Sequence, residues 1–143
     1  MTTFAFPKRY DETVANDGVT FSITDENGNY WGDFTCRHID EYSQRGELAY
    51  KRIRAKYAAQ IRSKKLSDYD AIKVVFVEAA LCGWSGIKDA KGKEVAFDIA
   101  TALDYFSQDE TKWLLVHLSR LASDMTNYAP AEDGAEVETP EGN

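Results

Sequence analysis

The sequence predicts an α+β fold: an N-terminal β-hairpin, then a mostly helical domain of about four helices, with a short Trp/Gly loop or hairpin between the second and third helices. Three observations predict it. Val19-Thr-Phe21-Ser-Ile23 alternates apolar and polar residues at period two and leads into Asn27-Gly28, a strong hairpin signal because both residues tolerate positive φ. Tyr50, Ile53, Tyr57 and Ile61 recur at steps of three and four, which places them on one helical stripe. Gly83 and Gly86 bracket Trp84 after the apolar run Ile72 to Leu81, reading as a helix stop and a tight backbone exit.

Taken in order, residues 1–17 form a polar lead expected to be flexible, with Phe4, Phe6 and Pro7 draped on the surface. Tyr30-Trp31-Gly32-Asp33-Phe34 returns as the second strand. Asp25, Asn27 and Asn29 do not make a calcium loop, because Tyr30 stands where such a loop needs glycine and Cys36 where it needs glutamate. Arg37 and Asp40 are expected to fix the corner between strand and helix by hydrogen bonds. A helical pattern follows from about Glu41 to Lys65, with Gly46 near its start. Ser67-Asp-Tyr-Asp70 caps the next helix, with aspartate in place of the preferred glutamate. Ile72, Val74, Val75 and Val77 give that segment competing β-propensity, yet its cap, length and glycine stop favour a buried central helix. Asp98 caps a short helix that turns Ile99, Ala102, Leu103 and Phe106 inward. Ser107-Gln-Asp-Glu110 reads as a full capping box for the last helix, whose stripe is Leu114, Leu118, Leu121, Met125 and Tyr128. Residues 18–128 therefore make a single globular domain. Residues 129–143 carry five acids, two prolines and no base, and are expected to be a disordered acidic tail.

Between the second and third helices, Trp84, Gly86, Ile87, Val95 and Phe97 are expected to form a hydrophobic clasp around the polar turn Asp89-Ala-Lys-Gly92. The order Gly-Trp84-x-Gly86-Ile87-x-Asp89-x-x-Gly92-x-x-Val95-x-Phe97, between an apolar helix and a capped one, resembles the tail assembly chaperones of long-tailed bacteriophages. Gly32-Asp-Phe34-Thr-Cys-Arg37-His-Ile-Asp40 is similar to the segment those proteins carry after their N-terminal hairpin. The resemblance spans about residues 18–128. It implies a non-enzymatic protein of the host cell cytoplasm, absent from the mature virion. Such a protein binds and solubilises the phage tape measure protein and helps recruit tail tube subunits during virion morphogenesis. It also implies a longer form, made by a frame shift near the end of the gene.

Composition and charge narrow the alternatives. With 43% hydrophobic and 29% charged residues, the chain is of globular rather than disordered type. No apolar run approaches the roughly 20 residues that cross a bilayer, and the N-terminus lacks the order of a signal peptide. Cys36 and Cys82 are the only cysteines, too few for a disulfide framework or a zinc site, so a reducing compartment is expected. Cys36, His38 and Asp40 are the nearest approach to a nucleophilic or metal constellation, and no partner cluster or recognisable orienting group accompanies them; His117 lies on another predicted helix. Neither a phosphate loop nor a hydrolase elbow appears, so no cofactor, metal or catalytic residue is assigned.

The net charge of −7 is unevenly spread. Residues 45–65 hold eight bases against one acid, Glu47, so this stretch is +7 inside a chain whose remainder is −14. On a helix, Arg45, Arg52, Lys56 and Arg62 fall opposite the apolar stripe. That face is either a solvated surface or a docking face, and these four residues are the expected partner-binding positions. The alternative function is a small nucleic-acid-binding regulator that uses the basic helix 45–65 for phosphate contacts. The acidic balance of the whole chain speaks against it.

Overall fold

The computed structural model describes residues 1–39 and 44–130, and the side chains of all but residues 44 and 45. Strands β1 (Val19–Thr24) and β2 (Tyr30–Cys36) pair antiparallel with Phe21 opposite Phe34 and Val19 opposite Cys36, as the alternation requires. The connecting turn is built on Asp25. Its Oδ1 accepts the backbone N–H groups of Asn27 and Asn29 at 2.9 and 3.0 Å, and Gly28 takes φ +84°. The Asn-Gly pair thus sits inside a wider loop closed by Asp25 N–H to Asn29 O, rather than at the centre of a two-residue turn.

A third strand, β3 (Leu81–Ser85), pairs antiparallel with the other edge of β2, which gives the order β1-β2-β3. Here the expected helix end is corrected. Helix α4 (Asp68–Val75) widens into a π-helix, Phe76–Ala80, and the chain passes from it directly into β3. The backbone groups along the outer edge of β2 must find partners, and the Leu81–Ser85 segment supplies them. Phe34 stands opposite Trp84 across that pairing.

Six α-helices lie among the described residues, against the four expected. One of the extra two is α1 (Glu12–Asp17), inside the stretch read as a flexible lead. Asp11 caps it by accepting Thr13 N–H at 2.8 Å, Ala15 is fully buried, and Asp11 N–H reaches Tyr128 O at 2.8 Å. The other arises because the pattern from 41 to 65 breaks at Tyr57 into α2 (Gln44–Lys56) and α3 (Ala58–Arg62). Tyr57 Oη donates to Glu78 Oε2 at 2.8 Å, and Lys56 Nζ donates to Glu78 Oε1 at 3.0 Å, so the break is fastened to the π-helix.

Ser67 caps α4 and Asp98 caps α5 (Ile99–Tyr105) as their spacing predicts, accepting from Asp70 N–H at 3.1 Å and Thr101 N–H at 2.7 Å. The capping box at Ser107 does not form. Its hydroxyl donates back to Leu103 O, and a 3₁₀ turn, Asp109–Thr111, leads into α6 (Lys112–Ser123). Leu114, Leu115, Leu118 and Ala122 of α6 are wholly buried with Phe34, Phe76 and Phe106, so the core lies where α6 and α4 meet the sheet. Tyr128 closes it, donating to Cys36 O at 2.9 Å. The acidic tail expected beyond residue 130 and the corner role expected of Asp40 fall outside the described residues.

Candidate partner-binding groove

The clasp takes the shape its residues suggested. After β3, Lys88 and Glu94 form an isolated antiparallel bridge, and Val95 N–H returns to Ile87 O at 2.8 Å. The tip, Asp89-Ala-Lys-Gly92-Lys93, repeats the backbone bonds of the Asp25 turn: Asp89 Oδ1 accepts from Lys91 and Lys93 N–H at 2.9 and 3.0 Å. Trp84 Nε1–H donates to Val95 O at 2.9 Å, and its ring meets Phe97, Tyr105 and Phe34 edge-on at 5.4, 5.3 and 6.4 Å between centroids. Ile87 is buried. Gly86 is demanded twice over, by φ +80° and because a Cβ there would stand 2.8 Å from Tyr30 Oη. Through the contact of Trp84 with Tyr105 this loop packs on α5.

The basic positions part company. Arg52 is exposed and borders a shallow hollow with Leu48, Arg37 and Glu78. Arg62 is exposed at the end of α3. Lys56 is tied to Glu78, whose hydrogen bond holds the ammonium above its ordinary pKa. Arg45 has no described side chain. They therefore do not form one uniform strip.

Sequence reasoning missed an apolar surface feature, which lies on the other side of α2. An apolar groove of about 310 Å³ runs between α2, α3 and α4, with Tyr50, Ile53, Ile61, Ile72 and Val75 on its walls and Phe76 at its base. Ile61 and Ile72 keep 42% and 46% of their surface in solvent, high values for isoleucine. Among the described residues, Arg54 is the one charged side chain lining it. Ile61 was legible as the last member of a stripe, but not as one left uncovered. It is exposed because α3 ends in a reversal at Lys64 (φ +58°), where Lys65 N–H returns to Gln60 O at 3.0 Å. The advance signal was the stripe of Tyr50, Ile53, Tyr57 and Ile61 itself.

Elsewhere the chemistry is sparse. Cys36 is buried, and burial pushes its thiol far above the ordinary range, away from the thiolate a nucleophile needs. His38 is wholly buried between Tyr10 and Tyr128, with ring centroids 5.2 and 5.1 Å away. Arg37 donates from Nε to Asn16 O at 2.8 Å, which ties the end of β2 to α1 rather than to the helix that follows. Among the described residues, no group of His, Cys, Asp or Glu is placed to hold a metal, and no helix is long and apolar enough to cross a membrane.

A family model described as YdaY prophage protein matches residues 38–139, from the end of β2 past α6, taking in the groove and the clasp. Neither a curated protein nor a solved structure matches the chain.

Proposed function

This chain belongs to the YdaY prophage protein family, and on that premise we propose that it is a tail assembly chaperone that binds the phage tape measure protein. The observation that carries this reading is the groove between α2, α3 and α4, which offers exposed Ile61 and Ile72 beside Arg54. A concave apolar surface walled by helices is the form that receives a helix of a partner. The exposed Arg52 and Arg62 add attraction from outside it, with a smaller contribution from Lys56. An acidic chain, at −7, resists co-aggregation while its partner is held. The sequence order from Gly32 through Phe97 supports the same reading by resemblance. The protein acts in the host cytoplasm without chemistry, helps tail tube subunits reach the tape measure, and leaves before the virion is complete.

Co-expression with the tape measure protein of the same prophage tests this. Alone, the tape measure protein is expected in the insoluble fraction. With this chain it is expected in the soluble fraction and in the same affinity eluate. A tape measure protein that stays insoluble overturns the proposal. Tight, salt-sensitive binding of duplex DNA by the unaltered chain would favour the regulator instead.

A further inference from the structure

We infer that the groove selects its partner by charge as well as by shape, and that its occupant is an amphipathic helix whose apolar stripe is flanked by acidic residues. The inference rests on the chaperone reading and deepens it.

The shape comes first. On one wall Tyr50 and Ile53 stand three residues apart on α2, and on the other Ile72 and Val75 stand three apart on α4. Residues three apart on a helix form a ridge, and a third helix seats its own apolar ridge between two such rows. The groove is also open, because Ile61 and Ile72 reach solvent from its walls. A small-ligand pocket encloses most of its ligand, whereas an open trough covers one side of a rod. A helix laid along the groove would cover the outer faces of Ile61 and Ile72, which a ligand held within its volume of about 310 Å³ would leave in solvent.

Charge then decides which helix. No acid lines the groove among the described residues, and Arg54 reaches it from α2. Arg62, Lys64 and Lys65, all exposed, follow Ile61 around the reversal that forms one end. Of the two acids on α4, Asp70 is engaged locally, accepting from Ser67 Oγ and pairing with Lys73 Nζ at 3.2 Å, and Asp68 is exposed at the helix start. A helix with Glu or Asp beside its apolar stripe brings charges of the right sign to this rim. One flanked by Lys or Arg meets like charge at close range, which costs more than neutral flanks do.

The test uses the full chain and synthetic helical peptides with one leucine stripe and flanks of all Glu, all Gln or all Lys, read by fluorescence anisotropy. The Glu-flanked peptide is expected to bind about tenfold tighter than the Lys-flanked one, and the gap should narrow with added salt. Ile72→Asp is expected to weaken binding about tenfold or more, with an unchanged melting temperature because the side chain is already exposed. Ile61→Asp gives the same readout should Ile72→Asp disturb the fold. Arg54→Glu is expected to reduce or invert the charge preference. Equal binding of the Glu- and Lys-flanked peptides overturns the inference, as does undiminished binding by both aspartate variants. So does stoichiometric binding of decanoate, a small apolar carboxylate, in place of any peptide. The two readings fail separately. If the Ile72→Asp protein still solubilises the tape measure protein, the chaperone stands and the groove falls. If the peptides bind as expected while the tape measure protein stays insoluble, the groove stands and the chaperone falls.

Discussion

Asp25 organises the hairpin tip with one carboxylate. Besides the two backbone N–H groups, its Oδ2 accepts the indole N–H of Trp31 at 2.9 Å, and this bond is the largest cause holding its pKa down to about 2 from 3.8. A carboxyl depressed in the folded state stabilises the fold above its unfolded pKa and loses that contribution as the pH falls through its folded one. The window is therefore from about 3.8 down to about 2. Asp25→Asn removes the titration, so near neutral pH the variant is expected to melt below the parent. The two melting temperatures should converge across that window. A constant gap from neutral to acid pH would show that the charge of Asp25 is not what holds the turn. Asp89 makes the same backbone bonds in the second turn. The motif Asp-x-x-Gly is thus used twice, once between β1 and β2 and once in the loop after β3, and both copies were visible in the sequence.

At the scale of elements, β3 and the clasp depend on Trp84. Truncating a buried aromatic costs about 3–5 kcal/mol, and Trp84→Ala is expected near the lower end because the ring is half-buried. Chemical denaturation would measure it, and an unaltered midpoint would make the clasp a surface rather than a support. The contacts of the clasp were legible because Trp, Ile, Val and Phe between two turn signals have few places to go but inward. Its partner strand was not. Gly83 and Ser85 dilute the period-two alternation of Leu81–Ser85, and the pairing depends on an edge of β2 that is 45 or more residues away. The break at Tyr57 was hidden in a similar way. No glycine or proline marks it, and its fastening to Glu78 is a tertiary contact. Likewise the basic stretch could be counted from the chain, whereas the groove needs Ile61 and Ile72 on facing walls, a relation created by the reversal between them.

For the whole molecule, segregated charge is the property that matters most. The stretch from 45 to 65 is attractive to acids within a chain that otherwise repels them. Arg52→Glu with Arg62→Glu is expected to leave the melting temperature close to the parent's, since exposed charges contribute little to stability. The same double change should weaken capture of the tape measure protein, and most at low ionic strength, where exposed charges are least screened. Pull-downs at two salt concentrations decide this, and undiminished capture at low salt would limit recognition to the apolar groove. Lys56 is left out of the variant because its tie to Glu78 would mix binding with folding.

The π-helix has a further consequence. Phe76–Ala80 hands the chain from helix to strand with no loop between them, so nothing there can absorb a change in length. Side chains alternate between the two faces of a strand, and a slip of one residue turns every one of them over. Adding or removing a single residue at this junction would present Gly83 or Ser85 where Trp84 now meets Phe97 and Tyr105. The passage from 76 to 85 is in that sense a counted one: it can change its letters more readily than their number. The loop around Gly92, where nothing crowds the backbone, is under no such arithmetic.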